Sequence, residues 1–369
     1  MSLFFLYYIG GRIGPLGLTL NRNRADEGLV SVKILTLKER KMLDLKRLQS
    51  LRLRRIPWGQ LLTANLGMRP NFTFLPGIDI VVEGLENLPT DRRVILALNH
   101  TDRYNPWPLQ YTLYRKKLGF TVTWVKAKYY EHWFIGAFMT ACNNIPLPSR
   151  GYVISTEFRK LMNRPPSNDE YRTIRDMMDG KRDFSSPFKT EDTEHVRRFF
   201  EGGSGSVQET VRKLEEYFGQ MMDVVTNLST QVMSELNSHL LVCPQGTRSK
   251  RLTEGKTGMV QMAQRMGATI LPVGCSGSDR LYPGASPFAK KGRVVYRIGE
   301  PLPVDSGPLA PHRVPEEIKP FTREGSEKFG EKYTIMTKIV MDRINDLVDP
   351  EYQYGDDEQG VSKGVKRFV

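Results

Sequence analysis

The stretch Val94-Ile95-Leu96-Ala97-Leu98-Asn99-His100 passes from an apolar run into polar residues, and Asn105-Pro106 follows shortly after it. The apolar run predicts a buried strand that ends at Leu98. Asparagine before proline is typical of a helix start, with the asparagine as N-cap, so a helix is predicted over Trp107 to Lys117. A strand, a polar turn and a helix in this order place His100 beyond the carboxyl end of a strand, where α/β folds bind their ligands.

Comparable apolar runs recur along the chain, separated by turn residues such as Gly84, Pro89 and Gly119. The alternation of strand and helix patterns predicts the α/β class, with a mixed β-sheet flanked by helices. The further predicted strands are Ile78 to Val82, Phe120 to Val125, Leu240 to Cys243, Thr269 to Gly274 and Arg293 to Ile298, and the further helices are Tyr129 to Ala141 and Val207 to Leu236.

Changes in composition divide the chain into three parts. Residues 1–70 are predicted to form a helical segment that associates with a membrane, residues 71–305 the α/β domain, and residues 306–369 a C-terminal helix and a flexible tail. Within the domain, joints rich in proline, serine and glycine mark residues 151–236 as a long insertion.

The chain carries a strong positive charge. Its 369 residues include 54 lysines and arginines against 41 aspartates and glutamates, for a net charge of +13. This charge favours an anionic partner, which is a nucleic acid, an anionic membrane surface or a phosphorylated substrate. The three cysteines have neither the spacing of a zinc site nor the number for a disulfide framework. No metal and no cofactor are expected.

Residues Lys38 to Ile56 have the pattern of a basic amphipathic helix, with Met42 and three leucines at helical spacing among many lysines and arginines. Such a helix fits a bilayer interface, and it fits equally well a helix packed on its own domain. The apolar run Leu3 to Ile9 is too short to cross a membrane and lacks the preceding basic residues of a secretory signal. We therefore expect a peripheral protein at the cytoplasmic side of a membrane.

A second polar turn, Cys243-Pro244-Gln245-Gly246-Thr247-Arg248-Ser249, leaves another predicted strand. The backbone N–H groups of such a turn, together with a guanidinium, make a good site for a phosphate or an oxyanion. At the first turn, the amide oxygen of Asn105 can accept a hydrogen bond from Nδ1 of His100 and hold the ring. Asp102 is the available negative charge near His100, and the sequence does not show whether it reaches the ring.

Together these segments resemble the 1-acylglycerol-3-phosphate acyltransferase family, also called lysophospholipid acyltransferases. Four blocks follow the order of that family: His100 with Asn105; Asn144 to Arg150, similar to the family's Ile-Pro-x-x-Arg block with one extra residue; Pro244 to Ser249; and Thr269 to Val273. The resemblance spans roughly Leu75 to Pro303 and implies a glycerolipid acyltransferase-like fold.

The resemblance also implies an activity, which is transfer of a fatty acyl group from acyl-CoA or acyl carrier protein to a hydroxyl of a lysophospholipid or glycerol phosphate. His100 would be the general base, with Asn105 as its partner. A base and an oxyanion site suffice for this reaction, because the thioester donor is already activated. By the same resemblance, Arg150, Arg248, Thr247 and Ser249 would bind the substrate phosphate, and Gln245 and Gly246 would serve the oxyanion and the acceptor.

Both acidic positions of the family's signature are amides in this chain, since Asn105 stands in place of aspartate and Gln245 in place of glutamate. Two hypotheses follow. One is a working acyltransferase with a retuned site, and the other is a catalytically inactive lipid- or phosphate-binding relative of the same fold. The chain has no interleaved basic and aromatic motif of a known nucleic-acid-binding module, so a nucleic acid is not an expected partner.

Overall fold

An eight-stranded sheet runs through the computed structural model, which describes residues 42–74, 77–179, 181–182, 191–204 and 207–355. The strand order is β1-β7-β6-β2-β5-β3-β4, and β8 pairs with β6. The strands are β1 Ile78–Glu83, β2 Ile95–Leu98, β3 Phe120–Lys126, β4 Ile145–Leu147, β5 Ser238–Val242, β6 Thr269–Ser276, β7 Gly292–Ile298 and β8 Leu302–Pro303.

The sheet is mixed, as predicted. Strands β2, β5, β3 and β4 run parallel to their neighbours, while β7 and β8 are antiparallel to β6. All four residues of β2 and all five of β5 are buried, as expected for central parallel strands that are covered on both faces. The six predicted strands are confirmed, with ends that differ by at most two residues.

Helices cover both faces of this sheet. Alternate residues of β2 show the two layers, because Ile95 and Ala97 belong to one hydrophobic core and Leu96 and Leu98 to the other. The helices are α1 Leu45–Gln49, α2 Trp58–Leu62, α3 Arg69–Thr73, α4 Pro106–Arg115, α5 Trp133–Ala141, α6 Arg150–Met162, α7 Asn168–Met178, α8 Glu191–Ser204, α9 Val207–Ser234, α10 Gly258–Met266, α11 Ser278–Leu281 and α12 Arg323–Leu347. A π-helix over Thr63–Met68 joins α2 to α3. In the described ranges, no helix is both long and apolar enough to span a bilayer.

The larger core lies under α6, α7, α8, α9, α10 and α12. The segment predicted as an insertion therefore forms much of one layer of the domain, and the predicted helix over Val207 to Leu236 is confirmed as α9. A capping box of Ser167 and Glu170 starts α7. Thus residues 151–179 are folded into α6 and α7 around buried side chains.

The prediction of one amphipathic helix over Lys38 to Ile56 is wrong for the described residues, which begin at 42. Only α1 is helical there, and its apolar residues face the protein, with Leu43 and Leu48 buried in the larger core. The backbone N–H of Leu43 donates to the Tyr152 hydroxyl at 2.9 Å, which ties this segment to α6. Of the two open interpretations, the structure supports a segment packed on its own domain.

Candidate active site

The two polar turns meet because their strands are neighbours. Strands β2 and β5 are parallel, with Ala97 opposite Val242, so both strands end at the same edge of the sheet. The backbone N–H of Ser249 donates to the carbonyl oxygen of His100 at 2.9 Å, which joins the turns directly. The sequence therefore assembles one site from segments that are 145 residues apart.

The ring of His100 is held by Asn105. Nδ1 of the imidazole lies 2.9 Å from Oδ1 of Asn105, whose Nδ2 lies 2.7 Å from the carbonyl oxygen of Asn99. A carbonyl oxygen only accepts hydrogen bonds, so the Asn105 atom that faces it is the amide NH2. The opposite atom is then the oxygen, and it accepts from Nδ1–H of His100. This fixes the proton on Nδ1 and leaves Nε2 unprotonated.

Asn105 starts α4 as predicted, but its side chain makes no capping hydrogen bond. Both ends of its amide are used by His100 and Asn99 instead, and the side chain is fully buried. Asn99 is fixed in turn by two hydrogen bonds to the backbone of Cys275 on β6, at 2.7 and 2.9 Å. The side-chain amides of Asn105 and Asn99 thus connect the His100 ring to strand β6.

The surroundings of His100 keep its imidazole neutral. Burial among protein atoms lowers the pKa of His100 to about 4, the hydrogen bond to Asn105 opposes this in part, and the positive charges of Arg248 and Lys126 lower the pKa further. The residue keeps a partly exposed edge. Near pH 7 the ring is therefore almost entirely in the form that accepts a proton at Nε2.

Two charged residues near His100 are placed only by the structure. Lys126, the last residue of β3, was missed by the sequence reasoning, although the end of a predicted parallel strand is a signal for such a residue. Asp102 does not pair with the His100 ring, because its carboxylate accepts hydrogen bonds from Thr101 Oγ1 at 2.9 Å and from the Tyr104 N–H at 2.8 Å.

The second turn presents Arg248 at the surface. Gly246 adopts a φ of +67°, and its N–H closes the turn on the carbonyl oxygen of Cys243 at 3.0 Å. The following residue Thr247 is partly exposed, and the Arg248 side chain is exposed. In the described part of the chain, the backbone N–H groups of Thr247 and Arg248 have no hydrogen-bond partner, so these two are the donors that the turn offers to an anion.

The placement of Gln245 and Ser249 differs from the expectation. Gln245 is 2% exposed, and both ends of its amide are bonded within the protein, which is at odds with a direct contact to the acceptor. Ser249 is buried and holds His100 through its backbone, so it lies behind the surface of the turn. Of the three residues that follow Gly246 in the turn, Thr247 and Arg248 are therefore the ones whose side chains reach the surface.

Arg150 is also placed differently from the expectation that it binds phosphate. Its guanidinium pairs with Glu215 of α9 at 3.1 Å, donates to the carbonyl oxygen of Phe321 and stacks on the ring of Phe218. These contacts join α6, α9 and the segment before α12. The negative charge of Glu215 balances the positive charge of Arg150, and these contacts give Arg150 a packing role between helices.

Comparison with known proteins assigns this chain to a family. The model of the family described as "Acyltransferase" matches residues 79–179 and 192–276, which include both polar turns and the helices between them. The chain belongs to the acyltransferase family. The chain matches no curated protein sequence. Among solved structures it is similar to the 1-acyl-sn-glycerophosphate (LPA) acyltransferase PlsC from Thermotoga maritima, with 17% sequence identity, a TM-score of 0.33, and coverage of 81% of this chain and 78% of that chain.

Proposed function

We propose that this protein transfers a fatty acyl group from an acyl thioester to a hydroxyl of a phosphorylated glycerolipid acceptor, with His100 as the general base. The observation that carries the proposal is the imidazole itself, whose Nδ1 is held 2.9 Å from Asn105 and whose Nε2 is left to accept a proton. Glycerol phosphate and lysophospholipids are the proposed acceptors, and acyl-CoA or acyl carrier protein is the proposed donor.

The reaction needs one proton to move from the acceptor hydroxyl to His100 and then from His100 to the leaving thiolate. Nε2 of His100 takes the proton of the acceptor hydroxyl while the hydroxyl oxygen attacks the thioester carbonyl carbon and forms the new C–O bond. The resulting oxyanion is stabilised by backbone N–H groups of the turn at Thr247 and Arg248. When the C–S bond breaks, the leaving thiolate takes the proton from Nε2–H. The products are an ester and a thiol, and His100 returns to its neutral form.

The acceptor's phosphate is proposed to bind the exposed guanidinium of Arg248. This side chain lies in the turn that holds His100, between Gln245 and Ser249, so a phosphate bound there brings a nearby hydroxyl to the imidazole. Because neither amide of the site carries a negative charge, the positive charge of Arg248 is not opposed by Asn105 or Gln245. This favours an anionic acceptor.

The test supplies purified protein with acyl-CoA or acyl carrier protein and a panel of phosphorylated glycerol acceptors, and measures thiol release and ester formation. His100→Ala should abolish transfer. His312→Ala, at the end of the turn Gly307–His312, removes a histidine outside the site and should leave the rate unchanged. Full activity in His100→Ala would refute the role of the base. If no acceptor yields an ester while lipid vesicles are still bound, the inactive lipid-binding relative is the correct description.

We further propose that the partner surface is an anionic membrane and that it meets an apolar face on α2, the π-helix and α5. This face consists of Trp58, Leu62, Leu66, Trp133, Phe134 and Phe138, all of which are exposed. The first three residues recur every four positions along α2 and the π-helix, and the other three are exposed residues of α5.

The two helices α2 and α5, which carry these residues, are in contact. A Cβ atom at Gly59 of α2 would lie 2.6 Å from the backbone of Ala141 at the end of α5, so the two helices touch through this glycine. Arg54 lies beside them, because its backbone exchanges hydrogen bonds with Asn143 at 3.1 and 2.6 Å. Exposed aromatic residues next to cations suit the boundary between headgroups and acyl chains.

Flotation with vesicles tests this surface. Vesicles that contain an anionic phospholipid should carry the protein upward more strongly than vesicles of zwitterionic lipid alone, because the chain has a net charge of +13. Trp58→Ser with Trp133→Ser should weaken this binding. Leu161→Ser removes an exposed leucine from α6 and serves as the control. Equal binding by the double variant and the control would exclude the apolar face as the membrane contact.

A further inference from the structure

Gln245 joins the base of the site to the turn that carries Arg248. Its Oε1 accepts the backbone N–H of His100 at 2.9 Å, and its Nε2 donates to Thr253 Oγ1 at 3.2 Å. Nε2 also lies 3.4 Å from the carbonyl oxygen of Arg251. The N–H of His100 only donates, so the Gln245 atom that faces it is the oxygen.

These contacts hold His100 from several sides at once. Oε1 of Gln245 fixes its N–H, the N–H of Ser249 fixes its carbonyl oxygen, and Asn105 fixes its ring. Gln245 and Ser249 both come from the second turn. The position of the imidazole relative to Arg248 is therefore set by hydrogen bonds between the two turns.

An amide suits this buried position better than a carboxylate does. With 2% of Gln245 exposed, a charge here would lose its hydration without an ion-pair partner among the groups that contact it. One carboxylate oxygen could still accept the His100 N–H and the other could accept from the Thr253 hydroxyl, but this second oxygen would also face the carbonyl oxygen of Arg251, which cannot donate. Glutamine satisfies both ends of the contact, since it has one acceptor and one donor.

We propose that Gln245 is a positioning residue for His100, which couples the base to the turn that binds the acceptor's phosphate. This inference rests on the proposed acyl transfer. Gln245 touches no reacting atom, and it acts by keeping Nε2 of His100 at a fixed distance from the hydroxyl of an acceptor bound at Arg248. Loss of Gln245 therefore reduces the rate of the bound complex rather than the binding of the acceptor.

Gln245→Ala should lower kcat by about 10- to 100-fold and change the KM of the acceptor by less than about threefold, because a small misplacement of the base slows the chemical step. Gln261→Ala is the matched control. Gln261 is a buried glutamine of α10 whose Oε1 accepts the Phe321 N–H and whose Nε2 donates to Thr257 Oγ1, so it makes the same kinds of bond away from His100. The control should lose similar stability and keep its kcat.

Gln245→Glu separates position from packing, because it keeps the shape and an acceptor for the His100 N–H. Its kcat should exceed that of Gln245→Ala. A carboxylate at this position should also raise the pKa of His100, which moves the acidic limb of the pH profile upward. A kcat in both Gln245 variants that equals that of Gln261→Ala would overturn the proposal.

A spectroscopic measurement keeps this test independent of turnover. By NMR, the backbone N–H of His100, which donates to Gln245 Oε1, should exchange with deuterium slowly in the wild type and in Gln261→Ala and faster in Gln245→Ala. An unchanged exchange rate in Gln245→Ala would also overturn the proposal. If the wild type transfers no acyl group, the proposed function fails, and the exchange rate still decides whether Gln245 holds His100.

Discussion

Replacing Asn105 with aspartate would place a carboxylate within hydrogen-bonding distance of the His100 imidazole. In the wild type, the group at that position is a neutral amide. Oδ1 of residue 105 lies 2.9 Å from Nδ1 of His100, and the side chain is fully buried, so solvent would not screen the new charge. An opposite charge at such a distance raises the pKa of an imidazole by about one to three pH units. The starting point for His100 is a pKa of about 4.

The same charge should stabilise the transition state of the proposed reaction. When Nε2 takes the proton of the hydroxyl, the ring becomes imidazolium, and each pH unit by which its pKa rises corresponds to about 1.4 kcal/mol. If the lower end of that range is fully expressed at the transition state, kcat near pH 7 rises about 10-fold. We therefore expect Asn105→Asp to be faster than the wild type near neutral pH.

The substitution should also cost stability. Nδ2 of Asn105 donates to the carbonyl oxygen of Asn99 at 2.7 Å, and aspartate would place an oxygen against that oxygen. Loss of a buried hydrogen bond with an acceptor left unpaired costs about 1–3 kcal/mol. A urea titration should thus show a lower free energy of unfolding for Asn105→Asp.

The assay is the pH dependence of kcat between pH 4 and 8 for the wild type, Asn105→Asp and the control Asn163→Asp, which adds a charge at the exposed end of α6. The wild type should show its acidic limb near the pKa of His100, about 4, and Asn105→Asp should show it at higher pH. An acidic limb that stays in place in Asn105→Asp, with kcat no higher than in the control, would refute the assignment of His100 and residue 105 as a pair.

Three further predictions concern stability and binding. Burial lowers the pKa of both His100 and His239 to about 4, so below pH 6.5 the unfolded chain binds more protons than the folded protein. Each histidine should therefore lower the free energy of unfolding by about 2 kcal/mol between pH 7 and pH 5. Equal free energies of unfolding in urea titrations at the two pH values would contradict this. Arg248→Ala should raise the KM for a phosphorylated acceptor by about 10-fold or more and leave the KM of the thioester donor unchanged, and an unchanged acceptor KM would remove this residue from the phosphate site. Gly59→Ala should push α2 away from α5, which should lower the free energy of unfolding by about 1–3 kcal/mol and weaken vesicle flotation. The control is Gly219→Ala on α9, where a Cβ meets no atom within 4 Å, and it should be neutral or stabilising.

The sequence by itself determined the strands, the class of fold and the two turns of the site. Runs such as Val94 to Leu98 are apolar and bounded by turn residues, so their local conformation follows from side chains that are near in sequence. The contact between His100 and Asn105 was also within its reach, because the two residues are five positions apart in one turn. That the two turns meet was not predicted, and it follows from the parallel pairing of β2 and β5 in the structure.

Only the tertiary structure decided where the remaining side chains point. The apolar stripe at Leu45 and Leu48 fits a membrane and a protein core equally well. In the structure both leucines pack in or against the larger core. Arg150 has the sequence context of a phosphate ligand, but Glu215, which is 65 residues away, pairs with it. Gln245 faces inward because the His100 N–H and Thr253 satisfy its amide there. A pattern fixes the conformation of a segment, whereas the partner of a polar side chain depends on groups that only folding brings near.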